Sequence, residues 1–124
     1  MNNRGTGALG ETLAVAYMQQ QGMRVIHRNY TCKAGELDIL AYDGDYLAVV
    51  EVKARYGGNM GYPLEAVTPA KITQIVKATR WYLTVNHLQC DVRFDIACVD
   101  LTNEIVEYVR NAFTQADAGR KNHW

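Results

Sequence analysis

The sequence predicts one α/β domain with the element order helix, three strands, helix, two strands. Two segments place apolar residues at helical spacing, and five others are apolar or alternating in the manner of strands. The 124 residues allow one hydrophobic core and leave no room for a second. We expect this domain to span residues 1–113 and the polar tail, residues 114–124, to be disordered.

The first helix is predicted from the apolar positions Leu9, Leu13 and Tyr17, and Gly22 provides its C-terminal cap. Within this helix, the neighbours of Glu11 at i+3, i+4 and i+7 are all apolar. A carboxylate in such a setting fits two roles. It is either a site residue or an acid of the first turns that the helix dipole stabilises.

Strands are predicted over residues 24–30, 36–42, 46–55, 91–99 and 104–109. The segment Asp43-Gly44-Asp45 separates the second strand from the third, and Asp-Gly or Gly-Asp between apolar segments is a strong hairpin signal. These two strands therefore form an antiparallel hairpin, around which the rest of the chain is organised. On the fourth predicted strand, residues 91–99, Arg93 and Asp95 share a face and can pair there.

The hairpin brings charged side chains together on one face. Glu51 and Lys53 share a face because side chains alternate along a strand. A two-residue turn at 44–45 places Asp38 opposite Glu51, whereas a turn at 43–44 places Glu36 there. Either register brings Asp38, Glu51 and Lys53 to the same face.

Two converging carboxylates in an otherwise apolar strand need partners that offset their desolvation. A hard cation that prefers oxygen ligands meets this need, Mg²⁺ first and Mn²⁺ as its substitute, with the backbone carbonyl of Val52 as a third ligand. Lys53 would then polarise a water molecule or stabilise charge on a phosphoryl oxygen. The alternative is a structural ion pair between Lys53 and Glu51.

A second helix begins after Thr68-Pro69, with threonine as N-cap and proline in the first turn. No acidic residue occurs between Ala66 and Cys90, and the helix carries Lys71, Gln74 and Ala78 on one flank and Lys77 and Arg80 on the other. Such a helix suits a phosphate backbone, although solvated charges on an ordinary amphipathic helix explain it equally well. The Gly-rich segment 56–63 before it is interpreted as a flap over a cleft.

Composition limits the possible functions. The chain has 13 basic and 13 acidic residues, so any nucleic-acid surface must be local. Its three cysteines, Cys32, Cys90 and Cys98, form no C-x-x-C pair, which indicates a reducing compartment and argues against zinc. No apolar segment reaches the length of a membrane span and no signal peptide opens the chain, so we expect a cytoplasmic protein without a membrane partner.

The motifs together resemble the PD-(D/E)xK nuclease superfamily, which has the restriction-endonuclease-like fold. Within it, the chain resembles the YraN-like family of small bacterial proteins over nearly its whole length. The matching residues are Gly10-Glu11, Arg28-Asn29, Gly35-Glu36-Leu37-Asp38, Val50-Glu51-Val52-Lys53, Glu65-Ala66-Val67-Thr68 with Lys71, Arg93-Phe94-Asp95, Asn103-Glu104-Ile105 and Ala112-Phe113. One departure is Leu37, which stands where the superfamily pattern has proline.

The resemblance implies an αβββαβ core, a mixed central sheet flanked by helices. It implies Asp38 and Glu51 as metal ligands, Lys53 as the catalytic lysine, and Glu11 as the helix-one glutamate that archaeal-type Holliday junction resolvases add. The expected activity is Mg²⁺-dependent endonucleolytic hydrolysis of DNA, with branched or junction DNA as one possible substrate. The candidate DNA contacts are Lys71, Gln74, Lys77, Arg80, Arg28 and Arg55.

Two other functions stay open at this point. A DNA-binding or adaptor module that retained the fold without turnover fits the same residues, and a homodimer is compatible with either function. A small-molecule hydrolase is less favoured, because the sequence has no motif that cradles a nucleotide.

Overall fold

The computed structural model describes residues 3–57 and 67–118. Its elements are α1 (Asn3–Gln20), β1 (Arg24–Cys32), β2 (Gly35–Asp43), β3 (Tyr46–Arg55), α2 (Pro69–Val85), β4 (Asp91–Asp100) and β5 (Ile105–Phe113). The predicted element order is confirmed. Thr68 caps α2 as expected, since its hydroxyl accepts a hydrogen bond from the Lys71 amide. No helix in the described part of the chain is long and apolar enough to cross a membrane.

The five strands form one mixed sheet in the order β1-β2-β3-β4-β5. Strands β3 and β4 are parallel, and every other neighbouring pair is antiparallel. A parallel pair needs a crossover connection, and α2 supplies it. The helices cover opposite faces, with Met18 of α1 in one hydrophobic cluster and Ile75 of α2 in the other. The predicted α/β fold with a mixed sheet between helices is therefore confirmed.

The β2–β3 hairpin adopts one of the two predicted registers. Asp43 pairs with Tyr46, so the turn is Gly44-Asp45, and Gly44 has the positive φ of 60° that this turn requires. The paired residues continue to Ile39 and Val50, so the next residues along the strands, Asp38 and Glu51, lie opposite each other. The turn at 44–45 thus selects Asp38, and not Glu36, as the partner of Glu51.

Close packing between α1 and β3 depends on Gly10. A Cβ atom at this position would lie 2.5 Å from the Cβ of Ala54, which is closer than such atoms approach. Glycine therefore lets the helix backbone approach the sheet, and it places the next residue, Glu11, beside the strands. This contact is one reason why a residue of α1 can take part in a site that β2 and β3 form.

A polar network centred on Asp95 joins β4 to β5. Asp95 is fully buried and accepts hydrogen bonds from Arg93 Nε at 2.9 Å, Tyr108 Oη at 2.5 Å and the Asn111 amide at 2.8 Å. The predicted pairing of Arg93 with Asp95 is confirmed. The ring of Tyr108 stacks on Tyr17 of α1, so the network also ties the first helix to β5.

The end of β5 and the start of the tail differ from expectation, and two further segments lie outside the described residues. Strand β5 continues past the predicted end at residue 109 because its register shifts opposite Phe94 and Ile96, which lets Phe113 pair with Phe94. The expected disorder is wrong for the start of the tail, where Gln115–Asp117 form a 3-10 turn and the Thr114 amide donates to the Asp117 carboxylate. The remaining tail residues, 119–124, and residues 58–63 of the predicted flap lie outside the described residues.

The Gly10 contact can be tested with a substitution pair in one helix. Gly10→Ala should destabilise the protein by about 1–3 kcal/mol, because the added methyl group overlaps Ala54. Gly7→Ala is the matched control: nothing lies within 4 Å of a Cβ there, so it should stabilise the helix by up to about 1 kcal/mol. Urea unfolding measures both. Equal stability of the two variants would contradict the close approach of α1 to β3.

Candidate active site

The centre of the site is a pair of carboxyl groups on β2 and β3. Glu51 is 5% exposed and lies close enough to Asp38 for the charge of Asp38 to act on it. Burial first, and then the nearby Asp38 carboxylate, raise the pKa of Glu51 to about 8. Glu51 therefore keeps a proton at neutral pH, which reduces the repulsion between the two groups.

The Asp38 side chain accepts a hydrogen bond from the backbone of β3, where regular pairing between β2 and β3 has ended. Its Oδ2 accepts a hydrogen bond from the Val52 amide at 2.8 Å, beyond the last paired residues of the β2–β3 ladder. The side-chain alternation of β2 breaks at the same point, because Leu37 packs in the cluster under α2 whereas Ile39 packs in the cluster under α1. Asp38 is thus held at an irregular position that both faces of the sheet can reach.

Two lysines lie near the carboxyl pair. Lys71 Nζ, on the first turn of α2, is 3.7 Å from Glu51 Oε2. The charges of Lys71 and Lys53 both lower the pKa of Glu51, but burial and Asp38 outweigh them. Among the described residues, Lys71 is the cation within 4 Å of Glu51, so the structural alternative of a direct Lys53–Glu51 ion pair does not describe this arrangement.

Glu11 approaches the site from α1, on the face of the sheet opposite to α2 and Lys71. It is 7% exposed, and burial followed by the charge of Asp38 raises its pKa. Asn29 Nδ2 donates a hydrogen bond to Glu11 Oε1 at 3.0 Å, and Arg28 Nη2 lies 3.6 Å from the same oxygen. Both contacts favour the ionised form of Glu11 and oppose the effect of burial. Asp38 is therefore the group whose charge acts on Glu11 and on Glu51.

The donor set fits a magnesium ion better than a metal that needs many protein ligands. No group of three His, Cys, Asp or Glu side chains among the described residues could hold a metal ion, so Glu11 does not complete a preformed centre with Asp38 and Glu51. Mg²⁺ does not require such a centre, since it binds through one or two carboxylates and takes water and substrate phosphates for the rest. The Val52 carbonyl as a further ligand stays a prediction.

The predicted DNA contacts occupy three places. Lys71 lies in the site, and Gln74 Nε2 is engaged with the Glu36 carbonyl at 3.0 Å. Arg28 lies beside Glu11, and Arg55 is exposed at the end of β3. Lys77 and Arg80 line a separate cavity beside Gln115 and Ala118, on the other flank of α2. The division of α2 into two flanks is thus confirmed, except that Ala78 is buried in the core and not on a flank.

Asn29 lies near the site, but the sequence pattern gave it no functional role. Its contact with Glu11 joins positions 18 residues apart, which no local periodicity reports. The sequence offered one indication of its unusual position, which is an asparagine within a predicted strand. Asparagine is uncommon inside strands and common at positive φ.

The comparisons with known proteins cover most of the chain. The model described as "Uncharacterised protein family UPF0102" matches residues 10–99, an interval that includes Glu11, Asp38, Glu51 and Lys53. A UPF0102 protein of Chlorobium chlorochromatii is 39% identical over 115 residues, with 86% of this chain and 89% of the relative covered. Similar proteins of the same name occur in Syntrophus aciditrophicus, at 41% identity with 92% of each chain covered, and in Pelobacter propionicus, at 43% identity with 93% and 86% covered.

The Glu51 environment predicts how stability depends on pH in metal-free protein. Its pKa of about 8 in the native state lies above the ordinary glutamate pKa of 4.5. The native state therefore retains a proton that the unfolded state loses between these values, and stability falls as pH rises through this window. Glu51→Gln should flatten that decline when urea unfolding is measured in EDTA at pH 5, 6.5 and 8. Parallel declines for wild type and variant would show that Glu51 does not titrate in this way.

Two further substitutions separate a site carboxylate from a structural one. Asp38→Asn should leave stability unchanged or raise it, because the amide oxygen can still accept from Val52 while the charge next to Glu51 disappears. Asp95→Asn is the matched control and should cost about 1.5–3 kcal/mol, since it removes the fully buried carboxylate that accepts from Arg93, Tyr108 and the Asn111 amide and leaves Arg93 only its pair with Asp43. Urea unfolding of both variants gives the comparison. A loss for Asp38→Asn as large as for Asp95→Asn would assign Asp38 a structural role.

Proposed function

This chain belongs to the uncharacterised protein family UPF0102, the YraN-like family, and we propose that it is a Mg²⁺-dependent endonuclease that hydrolyses DNA phosphodiester bonds. The observation that supports the proposal is the proximity of Asp38 and Glu51, with Lys53 and Lys71 nearby. Carboxylates kept close together at a buried position, at a cost in stability, are typical of functional sites.

Asp38 and Glu51 would hold the metal ion, with the Val52 carbonyl as a further oxygen ligand. When bound, Mg²⁺ supplies Lewis acidity toward a phosphoryl oxygen and lowers the pKa of a water molecule that attacks phosphorus. Glu51 must give up its proton to act as a ligand. Its proximity to the charges of Lys53 and Lys71 makes that loss easier, because both lower its pKa.

The remaining residues act on the substrate. Lys53 would orient the attacking water or stabilise the negative charge that develops on the phosphoryl oxygens. Lys71, now paired with Glu51, would turn to a substrate phosphate once that carboxylate is engaged. Glu11 would add a third acidic group beside Asp38. Direct attack by water in line with the leaving oxygen would invert the configuration at phosphorus.

DNA affinity would come from local charge, since the chain as a whole is neutral. Arg28 lies on β1 beside Glu11, and Arg55 is exposed at the end of β3. Lys77 and Arg80 add positive charge on the outer flank of α2. The preference for branched or junction DNA rests on the resemblance of Glu11 to the resolvase glutamate.

A non-catalytic DNA-binding or adaptor module is the alternative function. The placement of Lys77 and Arg80 beside Gln115, and not beside the carboxyl pair, favours it, because those cations can hold phosphates without serving hydrolysis. The two functions differ in what Lys53 contributes.

Lys53→Ala and Lys77→Ala together separate catalysis from binding. Lys53→Ala should lower the cleavage rate at least about 100-fold and change DNA affinity little, because the lysine acts mainly in the transition state. Lys77→Ala should instead weaken binding and lower its salt dependence by about one phosphate contact. Cleavage and binding are measured side by side in Mg²⁺ and in EDTA, on single-stranded, duplex, flapped and four-way DNA.

The same experiment tests the alternative. Absence of metal-dependent cleavage by the wild type on every substrate, with equal losses of affinity for Lys53→Ala and Lys77→Ala, would refute the nuclease function and support the adaptor.

A further inference from the structure

Asn29 occupies an irregular position in β1. It has a positive φ of 55°, although the surrounding residues form a strand. On either side of it Arg28 pairs with Ile39 and Tyr30 pairs with Leu37, so Asn29 lies opposite Asp38. The two strands thus depart from regular geometry at the same level, and Asn29 is of a type that tolerates this backbone conformation.

The side chain of Asn29 uses this position to reach α1. Its Nδ2 atom donates to Glu11 Oε1 at 3.0 Å, a normal hydrogen-bond length. Arg28 approaches the same oxygen only to 3.6 Å and its side chain is 39% exposed, so its hold on the carboxylate is weaker. The backbone of Asn29 is itself supported, since Thr31 Oγ1 donates to its carbonyl at 3.4 Å.

The Asn29 carboxamide can hold the Glu11 carboxylate in place without cancelling its charge. Glu11 and Asp38 repel each other when both are ionised, and a freely rotating glutamate would turn away. A lysine or arginine at position 29 would hold Glu11 but would also neutralise it. The neutral amide fixes the direction of the carboxylate and leaves its charge available to a cation or a substrate proton.

From this geometry we infer that Asn29 is a positioning residue, whose carboxamide holds the Glu11 carboxylate toward Asp38 for the hydrolysis proposed above. The inference rests on the proposed function, because Glu11 needs a fixed direction only if the site works on a metal ion or a substrate. It assigns to Asn29 a role in the site without contact to DNA.

The test uses Asn29→Gly, which keeps the positive φ without strain and removes only the carboxamide. Asn111→Gly is the matched control, since Asn111 has a φ of 54° on β5 and contributes its backbone amide, which glycine retains, to Asp95. Asn29→Asp is a second variant that preserves shape and backbone preference but replaces the donor with a repelling oxygen. Each is made in the wild type and in Glu11→Ala, and urea unfolding checks that each folds.

Two quantities are measured: the single-turnover cleavage rate and the Mn²⁺ affinity from calorimetry, which needs no turnover. Asn29→Gly should lower the cleavage rate or the Mn²⁺ affinity about tenfold, which is the smallest effect usual for losing a residue that orients a metal ligand. Asn29→Asp should lower the same quantity at least as much. Asn111→Gly should change neither. In the Glu11→Ala background, Asn29→Gly should cause no further loss, because the group that it positions is gone.

Failure of the inference is distinguishable from failure of the proposed function. If the wild type cleaves DNA but Asn29→Gly behaves as Asn111→Gly does in both measurements, the inference is wrong and the proposed function stands. Equal losses with and without Glu11 overturn it in the same way. A wild type that neither cleaves DNA nor binds Mn²⁺ refutes the proposed function, and with it the inference.

Discussion

Two acidic side chains that lie close together within a mostly apolar sheet, Asp38 and Glu51, set the constraint from which the rest of the structure can be understood. Their desolvation and mutual repulsion are offset by the Val52 amide, by Lys71 and by a proton on Glu51. The Gly44-Asp45 turn fixes the register that brings them together, and Gly10 lets α1 bring Glu11 close to the same strands. Several local features of the fold thus converge on one arrangement of charge.

The buried carboxylate of Asp95 shows what a purely structural acid looks like in this protein. It has a cationic partner in Arg93, a hydroxyl donor in Tyr108 and a backbone donor in Asn111, all within normal hydrogen-bond distance. Glu51 instead lies beside another acid, Asp38, and the Lys71 ammonium group is 3.7 Å away on a partly exposed side chain. The contrast supports a role for Glu51 that the folded state alone does not require.

Local sequence patterns predicted the parts of the structure that local rules control. Alternation and the Asp-Gly-Asp turn predicted the hairpin and the shared face of Asp38 and Glu51, and Thr68-Pro69 predicted where α2 begins. The pattern left two registers open because both turns fit the same residues. It predicted too short a β5, since Asn111 with its positive φ interrupts the alternation.

Contacts between distant segments were beyond such patterns. The hydrogen bond of Asn29 to Glu11 and that of Gln74 to the Glu36 carbonyl join elements that only the folded sheet places together. Glu11 itself was found by its apolar surroundings and by family resemblance, whereas its partners became visible only in three dimensions.

We propose that the Asp38–Glu51 pair binds a divalent cation. Calorimetric titration of metal-free protein with Mg²⁺ or Mn²⁺ at pH 7, in two buffers with different ionisation enthalpies, tests it directly. Because the pKa of Glu51 is about 8 and a ligating carboxylate must be ionised, binding should release roughly one proton, and Glu51→Gln should abolish both the binding and the release. Absence of binding to the wild type, or binding that Glu51→Gln leaves unchanged, would contradict the claim.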